Sequence, residues 1–149
     1  AREYSKHGSY ASKVLDPTPV RKLLLSANRN PLNARTHANN TNRYGKRLVD
    51  HQLVQLAISE MNMLTEALRS FVLRVAWEHD QGKRSANGVL MVNYATDVIL
   101  RVTKLNMEVH GAQGCRSNPR VDKLVRDAQI WGHLAGDTSL RLKAFNKLK

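Results

Sequence analysis

The sequence predicts an all-α protein, an up-and-down helical bundle of four or five helices. Two long stretches carry apolar residues at helical spacing, a short turn that contains glycine separates them, and almost no stretch alternates as a strand would. A short connection between two long helices favours an antiparallel pair. We therefore expect a bundle rather than a fold that contains a sheet.

The first helix is predicted to begin at Asp16-Pro17, because aspartate is a good helix cap and proline is tolerated in the first turn. Pro31 lies in its continuation, where proline removes a backbone hydrogen bond and clashes with the preceding turn. We therefore expect a helix that is either kinked or divided near Asn30. Its apolar residues are Val20, Leu23, Leu24 and Ala27.

The second and third helices are the most regular part of the sequence. The second is predicted from about Gln52 to His79, and Gly82 after it suits a left-handed helix end. Its apolar face comprises Val54, Ala57, Met61, Leu64, Leu68, Phe71 and Val75. The apolar face of the third helix comprises Met91, Ala95, Val98, Val102, Leu105 and Val109. Both faces are expected to be buried.

Glycine and proline mark the boundaries of the last two helices. Gly111 is expected to stop the third helix, and Pro119 opens or precedes a fourth. This fourth helix carries Arg126-Asp127, which we interpret as a salt bridge that links helices. A last helix is expected to begin at residue 137 or 138 and to continue to the C-terminus.

Composition is compatible with one domain over residues 16–149, preceded by a polar segment over residues 1–15 that we expect to be extended. The chain has 149 residues, of which 42% are hydrophobic, enough for one sizeable core. The single Cys115 excludes an internal disulfide, and the His and Cys spacing offers no zinc site, so we predict no metal. No apolar run approaches 18 residues, so we predict no membrane span.

The net charge of +12 is concentrated at the two ends of the chain. Residues 1–50 contain ten Lys and Arg against three acidic residues, and residues 116–149 contain eight against three, whereas the middle is neutral. Such an excess indicates either a phosphate-rich partner, such as nucleic acid, an anionic membrane or a nucleotide cofactor, or a basic surface that is simply solvated. The sequence leaves both interpretations open.

Four segments in this order resemble the C-terminal helical domain of the acyl-CoA dehydrogenase family, over about residues 16 to 148. They are YGKRLVDHQ at 44–52, HGAQG at 110–114, VDKLVRDAQI at 121–130 and GDTS at 136–139. The resemblance implies the last of three domains, an FAD shared with the other domains or with a neighbouring subunit, and a homo-oligomer. It also implies acyl-CoA or a related thioester as the ligand of the whole protein.

The resemblance implies that the segment around Tyr44 binds the cofactor. In the family an aromatic residue followed by glycine begins a loop that contacts FAD across the subunit interface, and Tyr44 stands there. Thr41 occupies the place of an arginine that approaches the FAD pyrophosphate, and Arg43 is a nearby substitute. Gln52 matches a residue that contacts the adenosine part.

Further cofactor-binding positions implied by the resemblance are Gly111, Gly114 and Thr138. Two neighbouring residues depart from the family pattern, because Glu108 replaces a glutamine and Ala112 replaces a glycine. A carboxylate beside a dinucleotide repels phosphate and cannot donate a hydrogen bond when it is ionised.

The family's catalytic base is missing from its usual position. Many members remove the substrate α-proton with a glutamate in a Tyr-Glu-Gly-Thr segment, and Ala135 stands at that glutamate here. Asp137 is the nearest carboxylate and is the candidate catalytic residue. Its alternative role is an N-cap of the last helix, since Asp before Thr-Ser-Leu is a common cap arrangement.

Three hypotheses follow for function. We favour the C-terminal domain of an acyl-CoA-dehydrogenase-like flavoprotein, which oxidises an acyl thioester only as part of the whole protein and is inactive alone. The alternatives are a flavin-dependent monooxygenase of the same superfamily, and a noncatalytic scaffold or nucleic-acid-binding module. Nucleic acid is the less favoured partner, and we expect a protein of the cytoplasm or the mitochondrial matrix.

Overall fold

The computed structural model describes residues 17–83, 87–116 and 120–135, together with residues 139, 141–142 and 145–146, which are helical. Four helices are bounded within these ranges: α1 (Pro17–Asn40), α2 (Gln52–Asp80), α3 (Asn87–His110) and α4 (Val121–Ala135). A hairpin of β1 (Asn42–Arg43) and β2 (Lys46–Arg47) connects α1 to α2. Short 3-10 turns cover Leu48–Asp50 and Gly111–Cys115. The predicted segment 1–15 lies outside the described residues.

The central element of the bundle is α3, which packs against α1, α2 and α4. All six residues of its predicted apolar face are buried, and none of the seven on α2 is exposed. Met61 and Leu68 of α2 are completely buried, whereas Leu64 is half-buried at the edge of the core. The predicted all-α bundle is therefore confirmed, and the two apolar faces form its core.

Pro31 lies inside α1 and does not divide it, so of the two predicted outcomes the structure excludes division. The Asn30 side chain occupies the turn that the proline disturbs, since its Nδ2 donates to the Ser26 carbonyl at 2.9 Å. Its Oδ1 accepts from Nδ2 of Asn106 on α3, also at 2.9 Å, and both asparagines are completely buried. A buried amide pair therefore holds this part of α1 against α3.

Glycines end two helices as predicted. Gly82 follows α2 with φ +68°, and Gly111 follows α3 with φ +56°, in the left-handed region that favours glycine. The predicted salt bridge between helices is wrong, because Arg126 pairs with Asp122 one turn earlier in α4 at 3.0 Å. Pairs four residues apart lie on one helix face, so the shorter-range partner is the one that Arg126 reaches.

No helix of the described ranges is long and apolar enough to cross a membrane. These ranges also contain no group of three or more His, Cys, Asp or Glu residues that could hold a metal ion.

Candidate functional site

The segment around Tyr44 folds as a β-hairpin with a two-residue loop, whereas the sequence predicts only a loop there. Asn42 pairs with Arg47 and Arg43 pairs with Lys46. Tyr44 and Gly45 have φ values of +52° and +79°, and positive φ at both central residues is the type I′ arrangement. A bulky aromatic residue rarely adopts this conformation, so the surrounding contacts must hold it.

Those contacts come from the chain on both sides of the hairpin. The Leu48 N–H donates to the Thr41 carbonyl at 2.7 Å, which closes the base of the hairpin. Nε2 of His51 donates to the Arg43 carbonyl at 3.2 Å. The centroids of the His51 and Tyr44 rings are 6.3 Å apart, in an edge-to-face arrangement. The tyrosine side chain is nevertheless 95% exposed, so the hairpin presents it outward.

The hairpin also carries three cations, of which one is neutralised. Arg47 makes two hydrogen bonds to the Asp50 carboxylate, at 3.1 and 3.2 Å, and Nζ of Lys46 donates to the Asp50 carbonyl at 3.3 Å. Among the residues that the structure describes, no carboxylate pairs with the Arg43 guanidinium. Arg43 therefore has charge available for an external anion.

A pair of stacked histidines joins the ends of α1 and α3. The rings of His37 and His110 lie 4.1 Å apart between centroids at an angle of 22°. Nδ1 of His110 donates to the Asn106 carbonyl at 2.9 Å, and Nδ1 of His37 lies 3.5 Å from Thr41 Oγ1. Sequence reasoning missed this pair, although His110 begins the segment at 110–114 that carries part of the family resemblance.

Burial and the neighbouring positive groups lower the pKa of His37. Burial is the largest cause, followed by the neighbouring His110 and then by the positive charge of Arg43. Because the hairpin directly follows α1, and His37 near the end of α1 stacks on His110 at the end of α3, the hairpin and the turn that begins at Gly111 lie at the same end of the bundle. The structure thus places at one end of the bundle the two segments that contain most of the predicted cofactor-binding residues.

Glycine stands at the two predicted positions of this turn for different structural reasons. A side chain at Gly111 would meet no atom within 4 Å, so only its positive φ requires glycine. Gly114 is buried, and a Cβ there would lie 3.1 Å from the His110 Cβ and from the Met107 carbonyl oxygen. Close packing therefore favours glycine at position 114, whereas the backbone at Gly111 has open space beside it. Their contacts with a cofactor stay predictions.

Two further predicted residues lie near this end. Gln52 is the first residue of α2 and is exposed. Glu108, the carboxylate that departs from the family pattern, lies one turn from Lys104 with its oxygen 4.0 Å from Nζ. The Lys104 and Glu108 side chains are both more than half exposed, so the lysine offsets only part of the repulsion expected between Glu108 and a phosphate.

The described residues that flank the candidate catalytic segment lie elsewhere on the bundle. Asp137 and Thr138 are outside the described residues, but a Cβ on Gly132 would lie 3.5 Å from Thr96, and Arg141 pairs with Asp97. Residues 96–97 are about 20 Å along α3 from Gly111, at 1.5 Å per residue. The described residues on both sides of Asp137 therefore lie about 20 Å from the end of the bundle that carries the hairpin.

The pH dependence of folding is expected to report the His37 environment. A lowered pKa in the folded state means that the unfolded chain binds the proton more readily, so stability is full above pH 6.5 and falls as the pH drops below that value. His37→Gln should reduce the loss of unfolding free energy between pH 6.5 and pH 5. His79→Gln, at an exposed position on α2, should leave that loss unchanged. Urea unfolding from pH 5 to 8 measures both, and coincident curves for His37→Gln and the wild type would contradict the assignment.

Comparisons with known proteins identify the family. The family model described as acyl-CoA dehydrogenase, C-terminal domain, matches residues 22–146. Cyclohexane-1-carbonyl-CoA dehydrogenase of Geobacter metallireducens is 30% identical over 95 residues, which are 63% of this chain and 25% of that protein. The short-chain specific acyl-CoA dehydrogenase of Megasphaera elsdenii is 28% identical over 100 residues, which are 66% of this chain and 26% of that protein.

The fold comparison agrees with these sequence matches. The structure of butyryl-CoA dehydrogenase from Megasphaera elsdenii superposes with a TM-score of 0.79 at 25% identity, over 84% of this chain and 33% of that one. The chain thus spans about a quarter of the length of the curated relatives it matches. These matches favour the first of the three hypotheses over the monooxygenase and the noncatalytic module. The chain therefore belongs to the acyl-CoA dehydrogenase family, whose C-terminal helical domain it represents.

Proposed function

We propose that this chain is the part of a flavoprotein that completes the binding site for FAD, in a protein that oxidises an acyl-CoA or a related thioester. The observation that carries the proposal is the convergence of the Tyr44 hairpin and the Gly111 turn at one end of the bundle, in a chain of this family. When bound, FAD is the group that accepts the electrons. The relatives named above are dehydrogenases of acyl-CoA thioesters, which supports that substrate class.

The residues present at the hairpin end fit a dinucleotide. Arg43 offers a pyrophosphate a guanidinium that no described carboxylate pairs with, and the exposed ring of Tyr44 offers an apolar face beside it. Gln52 supplies an amide for the adenosine part, and the open space at Gly111 lets the cofactor approach the backbone. We assign Gly114 the role of shaping this turn, and we keep Thr138 as a cofactor contact from the resemblance alone.

The hairpin and the end of α4 lie at different places on the bundle, which supports a cofactor that is shared between subunits. In this proposal the hairpin contacts the FAD of a neighbouring subunit, and the segment around Asp137 faces the FAD of its own subunit. The protein is then a homo-oligomer, and the isolated chain has no complete active site. We assign the basic surface to the cofactor and to solvent rather than to nucleic acid, because the hairpin already places three cations together.

The compartment that fits this function is the cytoplasm or the mitochondrial matrix. The chain has a single cysteine, Cys115, which is exposed and free in the structure. An exposed free thiol is typical of reducing compartments. Fractionation of the source cells, with detection of the protein in each fraction, tests this assignment.

Loss of the Arg43 guanidinium is expected to weaken FAD binding. A hydrogen bond to a charged group contributes about 1.5 to 3 kcal/mol, so Arg43→Ala should raise the Kd for FAD by about 10- to 100-fold in the complete protein. The measurement is titration of the apoprotein with FAD, followed by flavin fluorescence. Arg35→Ala removes an exposed arginine from α1 and is the matched control, for which no change is expected. Equal effects of the two substitutions would show that Arg43 does not bind FAD.

A further inference from the structure

His51 begins α2 but does not stabilise the helix end in the usual way. It is the N-cap of the helix, with φ −87° and ψ 129°, yet its side chain makes no capping hydrogen bond. Ser, Thr, Asp and Asn cap helices well, because a short side-chain oxygen accepts from a free N–H of the first turn. The first turn of α2 also contains no acidic residue that would stabilise this end instead. The imidazole of His51 therefore makes its contacts outside α2.

The imidazole is turned toward the hairpin and contacts two of its residues, Arg43 and Tyr44. Nε2 of His51 donates to the Arg43 carbonyl, eight positions earlier, at 3.2 Å. A carbonyl can only accept, so Nε2 carries the proton of this bond. The planes of the His51 and Tyr44 rings meet at 75°, with the centroids 6.3 Å apart. One side chain of α2 thus holds the two residues to which the proposed function assigns the pyrophosphate and the apolar contact.

The bond to the Arg43 carbonyl fixes the peptide unit that leads into the turn. A peptide unit is planar, so fixing its carbonyl sets ψ of Arg43 and φ of Tyr44 together. The φ of Tyr44 is +52°, a conformation that bulky residues rarely adopt and that their surroundings must impose. Without this bond the peptide unit can rotate toward a relaxed conformation, and the Arg43 side chain turns with it.

The rest of the hairpin does little to impose this shape. Each strand has two residues, all four of them are exposed, and a hairpin of this kind is at best marginally stable by itself. The bond from the Leu48 N–H to the Thr41 carbonyl closes the base, away from the loop. The ion pair of Arg47 with Asp50 is exposed and contributes little. The contacts of His51 are the ones that lie beside the two-residue loop.

We propose that His51 is a positioning residue of the FAD site, which holds Arg43 and Tyr44 in the orientation that binds the cofactor instead of capping α2. His51 acts through these two residues and does not itself contact FAD. This role rests on the proposed function and specifies how the hairpin is held in it. Cofactor affinity and the stability of the start of α2 should then respond differently to substitution of His51, whereas a merely structural role would lower both.

His51→Ser separates the two roles, because serine caps a helix well and is too short to reach the Arg43 carbonyl. Titration of the complete apoprotein with FAD should give a Kd that is raised by about 3- to 10-fold, the loss expected for one hydrogen bond. His51→Gln, whose Nε2 can donate to the same carbonyl, should bind FAD within about 2-fold of the wild type. In an Arg43→Ala background, His51→Ser should raise the Kd less than it does in the wild type, because the guanidinium that His51 positions is already absent.

Hydrogen exchange of the apoprotein, followed by mass spectrometry, tests the hairpin without any flavin. In His51→Ser, peptides that cover residues 42–48 should exchange faster than in the wild type, because the hairpin opens more often. Peptides that cover the first turn of α2, residues 52–55, should exchange at the same rate or more slowly, because the new cap binds an N–H there. His79→Ser, at an exposed position on α2, is the matched control and should change neither segment.

The possible results distinguish a failure of this role from a failure of the proposed function. If Arg43→Ala weakens FAD binding and His51→Ser does not, the hairpin binds FAD but His51 does not position it. If His51→Ser speeds exchange in the first turn of α2 as well as in the hairpin, His51 is a structural residue of the helix and the role is again wrong. If neither Arg43→Ala nor His51→Ser changes the Kd, the hairpin is not part of the FAD site, and both proposals fail.

Discussion

Ala135→Glu in the complete, flavin-bound protein is expected to raise the rate of flavin reduction by acyl-CoA by about 10² to 10⁴-fold, the usual contribution of a positioned general base. Ala135 is the last residue of α4 and stands where the family resemblance places a glutamate. In the proposed site, a carboxylate shielded from water at this position would have a raised pKa and would reach the substrate α-carbon. The wild-type protein, which lacks it, should be slow. Anaerobic stopped-flow absorbance with a panel of acyl-CoA thioesters measures the rate.

The matched control adds the same carboxylate elsewhere on α4. Gln129→Glu, at an exposed position, should leave the rate of reduction unchanged. Asp137→Asn should lower stability more than turnover if Asp137 caps the last helix, since loss of a cap costs about 0.5 to 2 kcal/mol. Rapid reduction by the wild type that Asp137→Asn abolishes at unchanged stability would instead identify Asp137 as the base.

Leu68→Ala is expected to lower the free energy of unfolding by about 2 to 5 kcal/mol, because truncating a buried leucine removes apolar contacts and leaves a cavity. Leu68 is completely buried in the cluster where α2 meets α3. A loss of this size is a large fraction of the stability of a typical domain, so we expect the variant to be largely unfolded when it is expressed. Urea unfolding monitored by circular dichroism measures the change.

Two other leucines calibrate this result. Leu64 is half-buried, so Leu64→Ala should cost less than Leu68→Ala. Leu32 on α1 is 64% exposed, and Leu32→Ala should change stability by less than about 0.5 kcal/mol. If Leu68→Ala were as mild as Leu32→Ala, the buried side of α2 would not be the core.

The fold was predictable where one physical pattern dominates a long segment. The apolar faces of α2 and α3 repeat over many turns, so their bounds followed from spacing, and Gly82 and Gly111 marked their ends. Pro31 was ambiguous, because spacing alone does not show that the Asn30 side chain bonds to Ser26 in the turn before the proline. The hairpin was missed since strands of two residues are too short to show alternation.

The candidate site was less predictable because its contacts join distant parts of the chain. His37 and His110 are stacked although 73 positions separate them, and no local pattern pairs them. The resemblance supplied the positions of Arg43 and Tyr44. Only the structure shows that no described carboxylate pairs with Arg43 and that Tyr44 is exposed. Exposure likewise distinguishes Trp77 from Trp131, which packs against the core.

The buried Asn30–Asn106 pair fixes the axial register of α1 against α3. Apolar side chains alone permit neighbouring helices to slide by a turn at modest cost, whereas such a slide would separate these two amides inside the core. Each buried polar group left without a partner costs about 1 to 3 kcal/mol. The pair therefore selects one register out of several, and that choice sets His37 opposite His110 at the end of the same two helices.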